Sequence, residues 1–251
     1  MKRRFNRFEL KYIIPVVLRD MLVEHISLHM TSDALGVDGH YRISSLYYDS
    51  PDLQCFRSKL DGIRFRRKVR IRWYGETPEQ LSDAVMVEIK QRIDRTTQKR
   101  RVRLPLCDAL ALCVGQFDRQ LDDPLDQAVA AEVTFLAKSL LLEPACLVVY
   151  QRQAFVGGSH DPGLRITFDA DLGCALANVP PIRGRALHRF QRPDWVILEV
   201  KADDLVPLWV TRMLAQHSVT LNRFSKYCAA VAHLQERKLL CASRETLPWT
   251  I

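Results

Sequence analysis

Polar and apolar residues alternate with a period of two along much of the chain, and this pattern predicts β-strands. The segment RKVRIRWYGE, residues 67–76, places a cation at every second position, at Lys68, Arg70 and Arg72, with apolar residues between them. Successive side chains of a strand point to opposite faces, so the cations form one row and the apolar residues another.

The same alternation recurs in other segments that are rich in strand-forming residues. These segments are RFELKYII, YRISSLYYD, VMVEIKQR, TQKRRVRLP, CLVVYQRQAF, GLRITFDAD and WVILEVKADD. Together with the first segment they predict about eight strands. Most connections are short, including a turn at Gly157 and Gly158, which favours antiparallel neighbours.

Helical patterns fill the longer gaps between the predicted strands. Pro15 can open a helix through VVLRDMLVEHISLHM, because proline fits the first helical turn. The segment PLDQAVAAEVTFLAKSLL is strongly amphipathic, and PLWVTRMLAQ and FSKYCAAVAHLQERK predict two more helices. The fold class is therefore predicted to be α+β, with a dominant antiparallel sheet and helices packed on it.

The charged face of this sheet is more basic than an ordinary solvated face, which mixes Thr, Ser, Lys and Glu. Like charges about 4–6 Å apart repel by on the order of 1 kcal/mol even in water, unless an anion lies among them. Two arrangements use such a surface. One is an open basic sheet against a nucleic acid backbone. The other is a closed barrel whose charged face encloses a polyanion, while helices cover its apolar outside.

Three carboxylates favour the closed barrel. Glu9, Glu88 and Glu199 lie in phase with the cations, where they repel a nucleic acid backbone but suit a divalent metal that bridges to phosphate oxygens. Few aromatic residues share the charged phase, so no base-stacking platform is predicted. We therefore expect a closed eight-stranded antiparallel barrel and no nucleic acid partner.

Composition narrows the class of partner and the setting. The 251 residues carry a formal net charge of +8 with a pI near 9.2, which indicates an anionic partner. No linker or repeat divides the chain, so we predict one domain over residues 1–251.

The seven cysteines lack C-x-x-C spacing and lie mostly among apolar residues, which favours buried free thiols. No secretory signal and no run of ~18 apolar residues is found, so a soluble, cytoplasmic protein is predicted.

Seven motifs resemble, in order, those of the VTC domain: FELKYII, YYDSPDLQCFRSKLDG, VRIRWYG, VMVEIKQR, LRITFD, ILEVK and NRFSKY. This is the catalytic domain of the vacuolar transporter chaperone polyphosphate polymerases, in the triphosphate tunnel metalloenzyme (CYTH-like) superfamily. The resemblance covers roughly residues 5–235, and IRWYG and RFSKY are its most specific parts. It implies an eight-stranded barrel with helices outside and a basic interior tunnel that binds triphosphate or polyphosphate.

The resemblance also implies roles for individual residues. The residues implied in catalysis are Lys11, Arg70, Arg72, Lys90, Arg165 and Lys201. The residues implied in phosphate binding are Lys59, Lys99, Arg103, Arg152, Arg223 and Lys226. Glu199 matches the metal-binding glutamate of the family, expected to hold Mn²⁺ or Mg²⁺, and Glu88 and Glu9 are further candidate ligands.

The chain departs from the superfamily pattern in two respects. The E-x-E-x-K motif reads R-F-E-L-K at residues 7–11, so a cation replaces one carboxylate, as also happens in VTC domains. The chain is also expected to lack the SPX domain and membrane helices of the eukaryotic polymerases. Coupling to membrane translocation is therefore not implied, and a separate membrane partner is left open.

The implied activity is transfer of the γ-phosphate of ATP to a growing polyphosphate chain, with the metal polarising the transferred group. Two alternatives stay open: an inorganic triphosphatase or phosphohydrolase on the same barrel, and a non-catalytic polyphosphate-binding module. Glu9 and Glu88 fit equally well as counter-ions that hold arginines in place. No Walker A or G-x-G-x-x-G motif occurs, so any nucleotide would be held through its phosphates.

Overall fold

A computed structural model of the protein describes residues 5–75, 80, 82–94, 96–177, 187–203 and 205–240, except for the side chains of residues 5–7. Ten strands in these residues form one antiparallel sheet. They are β1 Phe5–Pro15, β2 Met30–Ser32, β3 His40–Asp49, β4 Phe65–Tyr74, β5 Ala84–Ile93, β6 Thr96–Pro105, β7 Glu143–Gly157, β8 Arg165–Leu176, β9 His188–Arg189 and β10 Trp195–Ala202. The eight long strands correspond to the predicted segments, whereas the short strands β2 and β9 were not predicted.

Six helices accompany the sheet in the described residues. They are α1 Val16–Ser27, α2 Gln54–Leu60, α3 Leu106–Cys113, α4 Pro124–Leu140, α5 Leu208–Gln216 and α6 Lys226–Glu236. The start of α4 is well defined, because the Asp123 side chain accepts a hydrogen bond from the Leu125 N–H and Pro124 occupies the first turn. The helices α2 and α3 were not predicted, since they have only 7 and 8 residues and show too little periodicity.

The sheet curls back on itself through the long strand β7. The strand order is β2-β7-β3-β4-β5-β6-β1-β10-β8-β9, and β7 also pairs with β8. One edge of β7 pairs with β2 and β3, and the other edge pairs with β8 over most of its length. The curvature therefore directs one face of the strands towards a common interior.

The wall of the curled sheet is open along one seam, so the prediction of a closed eight-stranded barrel was only partly correct. The strands β1 and β6 share three residue pairs, all at residues 5–7 of β1. Farther along β1, the same edge contacts a C-terminal segment instead. There Tyr12 forms a bridge with Leu221, and the Asn222 N–H donates to the Lys11 carbonyl at 2.7 Å. Alternation in the sequence indicates strands but does not show how many pairs each edge makes.

Four helices cover the outer face of the sheet: α1, α4 and α5, which were predicted, and α3, which was not. The helices α3 and α4 pack on the apolar phase of β3 to β6, where Val69, Ile71 and Trp73 are all buried. The helices α1 and α5 pack in the same way on β1, β8 and β10. Burial of this apolar phase is the main stabilising contribution to the fold and fixes the opposite phase as the interior.

The helix α6 departs from the prediction that the helices lie only outside. It packs near α2 in an apolar cluster that includes Ile43, Tyr47 and Tyr150. Ile43 and Tyr47 lie opposite Tyr74 and Arg70 in register, so they belong to the inward phase of the sheet. One part of the interior is therefore filled by apolar side chains, and α6 reaches into the interior.

A buried carboxylate joins α2 and α6 to the end of β3. Asp49 is fully buried and accepts hydrogen bonds from the N–H groups of Ser50, Cys55 and Phe56 at 2.7–2.9 Å. It also accepts from the hydroxyl of Tyr227 on α6. Burial and the Asp49 charge raise the pKa of Tyr227 above its ordinary value, which keeps this hydroxyl protonated and able to donate.

Two further predictions can be compared with the described residues. Their six cysteines are free thiols, and all but Cys107 are buried. The seventh, Cys241, lies outside the described residues. In the described part of the chain, no helix has both the length and the apolar character that a bilayer crossing requires.

Candidate functional site

Charged side chains from seven strands and one helix meet inside the curled sheet. We call this group the charged cluster. It consists of Glu9, Lys11, Arg70, Arg72, Glu88, Lys90, Lys99, Arg152, Asp169, Glu199, Lys201 and Lys226. Most of the cations that the period-two pattern puts on one face of the sheet thus meet in one interior region, although Arg165, which was expected among them, does not.

Glu199 on β10 is the centre of one half of the charged cluster. Its carboxylate lies 2.5 Å from Lys201, 2.6 Å from Lys226 and 3.2 Å from Lys11. Arg152 approaches to 3.5 Å. Burial alone would raise the pKa of Glu199, but Lys11 and the other cations hold that pKa well below its ordinary value. Glu199 is therefore ionised and holds the cations of three strands and α6 together.

Asp169 on β8 is a member of the charged cluster that the sequence prediction missed. It is fully buried and accepts two hydrogen bonds from Arg152, at 2.6 and 2.7 Å. Its Oδ2 lies 2.5 Å from Lys226 Nζ. Burial acts to raise the pKa of Asp169, and Arg152 and Lys226 lower it by more, so the group stays ionised. The sequence does contain a signal for Asp169. It lies four residues after Arg165, so the two side chains share one face of the strand.

Glu9 on β1 extends this half of the charged cluster towards β5. Its Oε2 lies 2.5 Å from Lys90 Nζ, and its Oε1 lies 3.2 Å from Lys11 Nζ. The Lys11 ammonium is thus held between the carboxylates of Glu9 and Glu199, each at 3.2 Å. Burial lowers the pKa of Lys201 in the same region to about 7, although Glu199 opposes that shift.

Glu88 on β5 is the centre of the other half of the charged cluster. It is fully buried, accepts from Arg70 at 2.6 and 2.8 Å, and lies 3.0 Å from Lys99 and 3.7 Å from Arg72. These cations, Arg70 first, hold the pKa of Glu88 well below its ordinary value, against the effect of burial. Its carboxylate therefore acts as the counter-ion of three cations.

The two arginines on β4 also donate hydrogen bonds to hydroxyl groups. Arg70 donates to the Tyr47 hydroxyl at 2.8 Å, and Arg72 donates to Ser45 at 3.1 Å and to the Tyr150 hydroxyl at 3.3 Å. The sequence prediction missed these partners. Tyr150 was detectable, since it precedes Arg152 by two residues and so shares its face.

Four residues implied in phosphate contacts lie away from the charged cluster. Arg165 donates to Asp33 and to the Tyr41 hydroxyl, the latter at 2.8 Å. Arg103 and Arg223 are exposed, and Lys59 is half-buried on α2. No hydrogen bond or ion pair described in the structure joins these four to the charged cluster, so their predicted roles stay predictions.

The carboxylates differ in how well they fit a divalent metal. Glu9 and Glu199 converge on one cation, the Lys11 ammonium, and offer the hard oxygen donors that Mg²⁺ and Mn²⁺ prefer. No group of three or more His, Cys, Asp or Glu in the described residues could by itself hold a metal ion. This suits Mg²⁺, which usually binds one or two carboxylates together with substrate phosphates. All three carboxylates have cation partners, but the described ion pairs give Glu88 no cation in common with Glu9 or Glu199.

The charged cluster has an excess of positive charge. Eight of its members are cations and four are carboxylates. Buried or half-buried cations without enough counter-charge are unfavourable unless an anion joins them. Arginine forks and lysine ammonium groups in such an array suit an oligophosphate, which presents oxygens along its whole length.

Comparison with known proteins agrees with this geometry. The family model of the VTC domain matches residues 6–235. The chain therefore belongs to the VTC domain family.

Two curated proteins are similar in sequence to this chain. The vacuolar transporter chaperone complex subunit 4 of Schizosaccharomyces pombe is 26% identical, over 76% of this chain and 32% of the relative. The protein of the same name in Trypanosoma brucei brucei is 24% identical, over 76% of this chain and 28% of the relative. This chain thus spans about a third of the length of these curated relatives.

A crystal structure from Bacillus halodurans, described as that of a candidate adenylate cyclase, shares the fold. It superposes with a TM-score of 0.54 at 12% identity, covering 89% of this chain and 96% of that protein. At this identity the likeness concerns the curled-sheet fold alone.

Proposed function

We propose that the protein is a metal-dependent polyphosphate polymerase, which transfers the γ-phosphate of ATP to the end of a polyphosphate chain held inside the curled sheet. The observation that carries this proposal is the charged cluster, in which cations from β1, β4, β5, β6, β7, β10 and α6 line one interior. Membership of the VTC domain family supports it.

The reaction requires little covalent chemistry from the protein. A terminal oxygen of the polyphosphate chain attacks the γ-phosphorus of ATP, the bond from that phosphorus to the β,γ-bridging oxygen breaks, and ADP leaves with the electron pair. The chain grows by one phosphate. Arg70, Arg72 and Arg152 would hold the equatorial oxygens and Lys11 and Lys226 the flanking phosphates, so catalysis comes from positioning and charge neutralisation.

Glu199 and Glu9 are the residues that would hold Mn²⁺ or Mg²⁺, and the bound metal would neutralise charge on the phosphate oxygens. When substrate binds, phosphate oxygens would replace the carboxylates as partners of the lysines. The ion pairs of Lys11 with Glu9 and Glu199 would then break. Glu88 would keep Arg70 and Arg72 in place.

Incubation of the protein with ATP and either Mn²⁺ or Mg²⁺ tests the proposal. Long-chain polyphosphate and ADP are the expected products, and chelation of the metal should prevent their formation. Rapid release of orthophosphate from tripolyphosphate without chain growth would identify a hydrolase instead. Tight binding of polyphosphate with no turnover under any metal would identify a binding module.

Phosphate binding should be coupled to proton uptake at Lys201. Its pKa is about 7 in the free protein, so at about pH 8 the amine is mostly neutral. A bound phosphate favours the ammonium form and raises this pKa, so binding should take up roughly one proton at this residue. Calorimetry of tripolyphosphate binding in buffers of different ionisation enthalpy measures the uptake. The Lys201→Arg variant is the control, since arginine stays charged throughout. Equal proton balances in the two proteins would contradict the prediction.

The names of the curated relatives describe subunits of a complex. We therefore propose that this domain also works with a protein partner, and that such a partner supplies any membrane-linked step. The cytoplasmic location of this chain stays a prediction.

A further inference from the structure

The inward rows of β4 and β5 continue beyond the charged cluster towards one end of the sheet. The cross-strand pairs are Arg70 with Glu88, Lys68 with Lys90, and Arg66 with Arg92. Side chains two residues apart on a strand share a face, so Arg66 and Arg92 extend the same inward row. At about 3.3 Å per residue, Arg66 lies roughly 20 Å along β4 from Arg72. This distance is much greater than the length of a triphosphate.

A third arginine joins this pair from the segment before α6. Burial lowers the pKa of Arg66, and the charges of Arg92 and, more weakly, Arg223 lower it further, so Arg223 acts electrostatically on this pair. The segment is fixed nearby on both sides: the Asn222 N–H donates to the Lys11 carbonyl, and Ser225 accepts from Lys68 at 3.2 Å. We call Arg66, Arg92 and Arg223 the arginine collar.

The arginine collar lacks internal charge compensation. Arg66 and Arg92 make their described hydrogen bonds to main-chain carbonyls, of Ile63 at 2.7 Å and Asp94 at 2.8 Å. No ion pair in the described part of the chain links a carboxylate to any of the three. In contrast, neighbouring Arg64 faces Asp94 at 3.8 Å. Like charges directly opposite on a sheet are destabilising, so the Arg66–Arg92 pair carries a cost that an anion would relieve.

We propose that the arginine collar is a phosphate subsite that binds the part of a polyphosphate chain extending beyond the charged cluster. This inference rests on the proposed function, since it assumes that the interior holds one end of the same chain. A linear polyphosphate that follows the row from Arg70 past Lys68 would reach Arg66 and Arg92 without turning. Arg223 would then contact it from the opposite side. The subsite gives a preference for long chains over triphosphate.

The test compares two ligands and two double variants. Binding of tripolyphosphate and of long-chain polyphosphate is measured by calorimetry, without ATP, for the parent, for Arg66→Ser with Arg92→Ser, and for Arg57→Ser with Arg64→Ser. The second double variant removes the same charge from two exposed arginines of the same region that pair with Asp52 and Asp94. The collar variant should lose roughly tenfold or more in affinity for long-chain polyphosphate, because charged hydrogen bonds to two guanidinium groups are lost. Its affinity for tripolyphosphate should stay the same.

Other outcomes overturn the inference. Equal losses in the two double variants would show a general field effect, and equal losses for both ligands would show that the collar is no separate subsite. A single-stranded oligonucleotide that bound the collar as tightly as polyphosphate would assign the patch to nucleic acid. Failure of the parent to bind either phosphate would defeat the proposed function as well. Binding of both phosphates that neither double variant changes would defeat the collar alone.

Discussion

Replacement of Glu199 by Gln is expected to reduce turnover in the proposed polymerase reaction by roughly 100-fold or more, in line with the loss of a group that organises transition-state charge. Glu199 holds Lys11, Lys201 and Lys226 within 3.2 Å and is also the proposed metal ligand. The amide keeps the size of the side chain but removes its charge. The variant should therefore lose metal-dependent turnover while keeping the shape of the site.

Metal-free binding distinguishes the two roles of Glu199. Removal of one negative charge makes the charged cluster more positive, so tripolyphosphate should bind Glu199→Gln at least as tightly as the parent when the metal is chelated. A structural collapse would weaken this binding as well as turnover. Thermal unfolding with and without tripolyphosphate gives an independent check that the variant is folded, since a ligand stabilises only the state that binds it.

A matched control for this substitution is Glu132→Gln. Glu132 lies on α4 outside the sheet, where it pairs with Arg100 at 2.7 Å. Its replacement should change neither turnover nor tripolyphosphate binding. If Glu199→Gln retained the turnover and the metal dependence of the parent, the metal site proposed at Glu199 would be wrong.

Replacement of Asp49 by Ala is expected to lower the free energy of unfolding by about 3–5 kcal/mol, the largest stability effect that we predict. The carboxylate accepts hydrogen bonds from the Ser50 N–H, from two N–H groups in the first turn of α2, and from the hydroxyl of Tyr227. Alanine would leave all these buried donors without an acceptor, and each unsatisfied donor costs about 1–3 kcal/mol before relaxation. Urea unfolding measures the change.

Two comparison variants separate the contributions at Asp49. Tyr227→Phe removes only one donor together with its hydrogen bond and should cost about 1–2 kcal/mol. Asp52→Ala removes an exposed carboxylate three residues away and should cost less than about 1 kcal/mol. A cost for Asp49→Ala no larger than that of Asp52→Ala would contradict the anchoring role. Because Tyr227 follows Lys226, we also expect weaker tripolyphosphate binding in Asp49→Ala when the measurement is made below its unfolding temperature.

The sequence determined which residues share a face. The period-two alternation of β4 predicted that Arg70 and Arg72 share one face of the strand and that Ile71 lies on the other. The structure shows this arrangement. The same alternation, together with the family resemblance, predicted most members of the charged cluster. It worked because the pleat of a strand is a local property, and because one buried apolar phase fixes the direction of the other.

The tertiary structure decided how the cations are partnered. Asp169 and the hydroxyls of Tyr47 and Tyr150 meet Arg152, Arg70 and Arg72 only through strand pairings that the sequence does not specify. The open seam between β1 and β6 and the inward position of α6 likewise depend on contacts between residues far apart along the chain. Local alternation sets the face of each side chain, whereas curvature and register set its neighbours. Those neighbours fix the charge of the site.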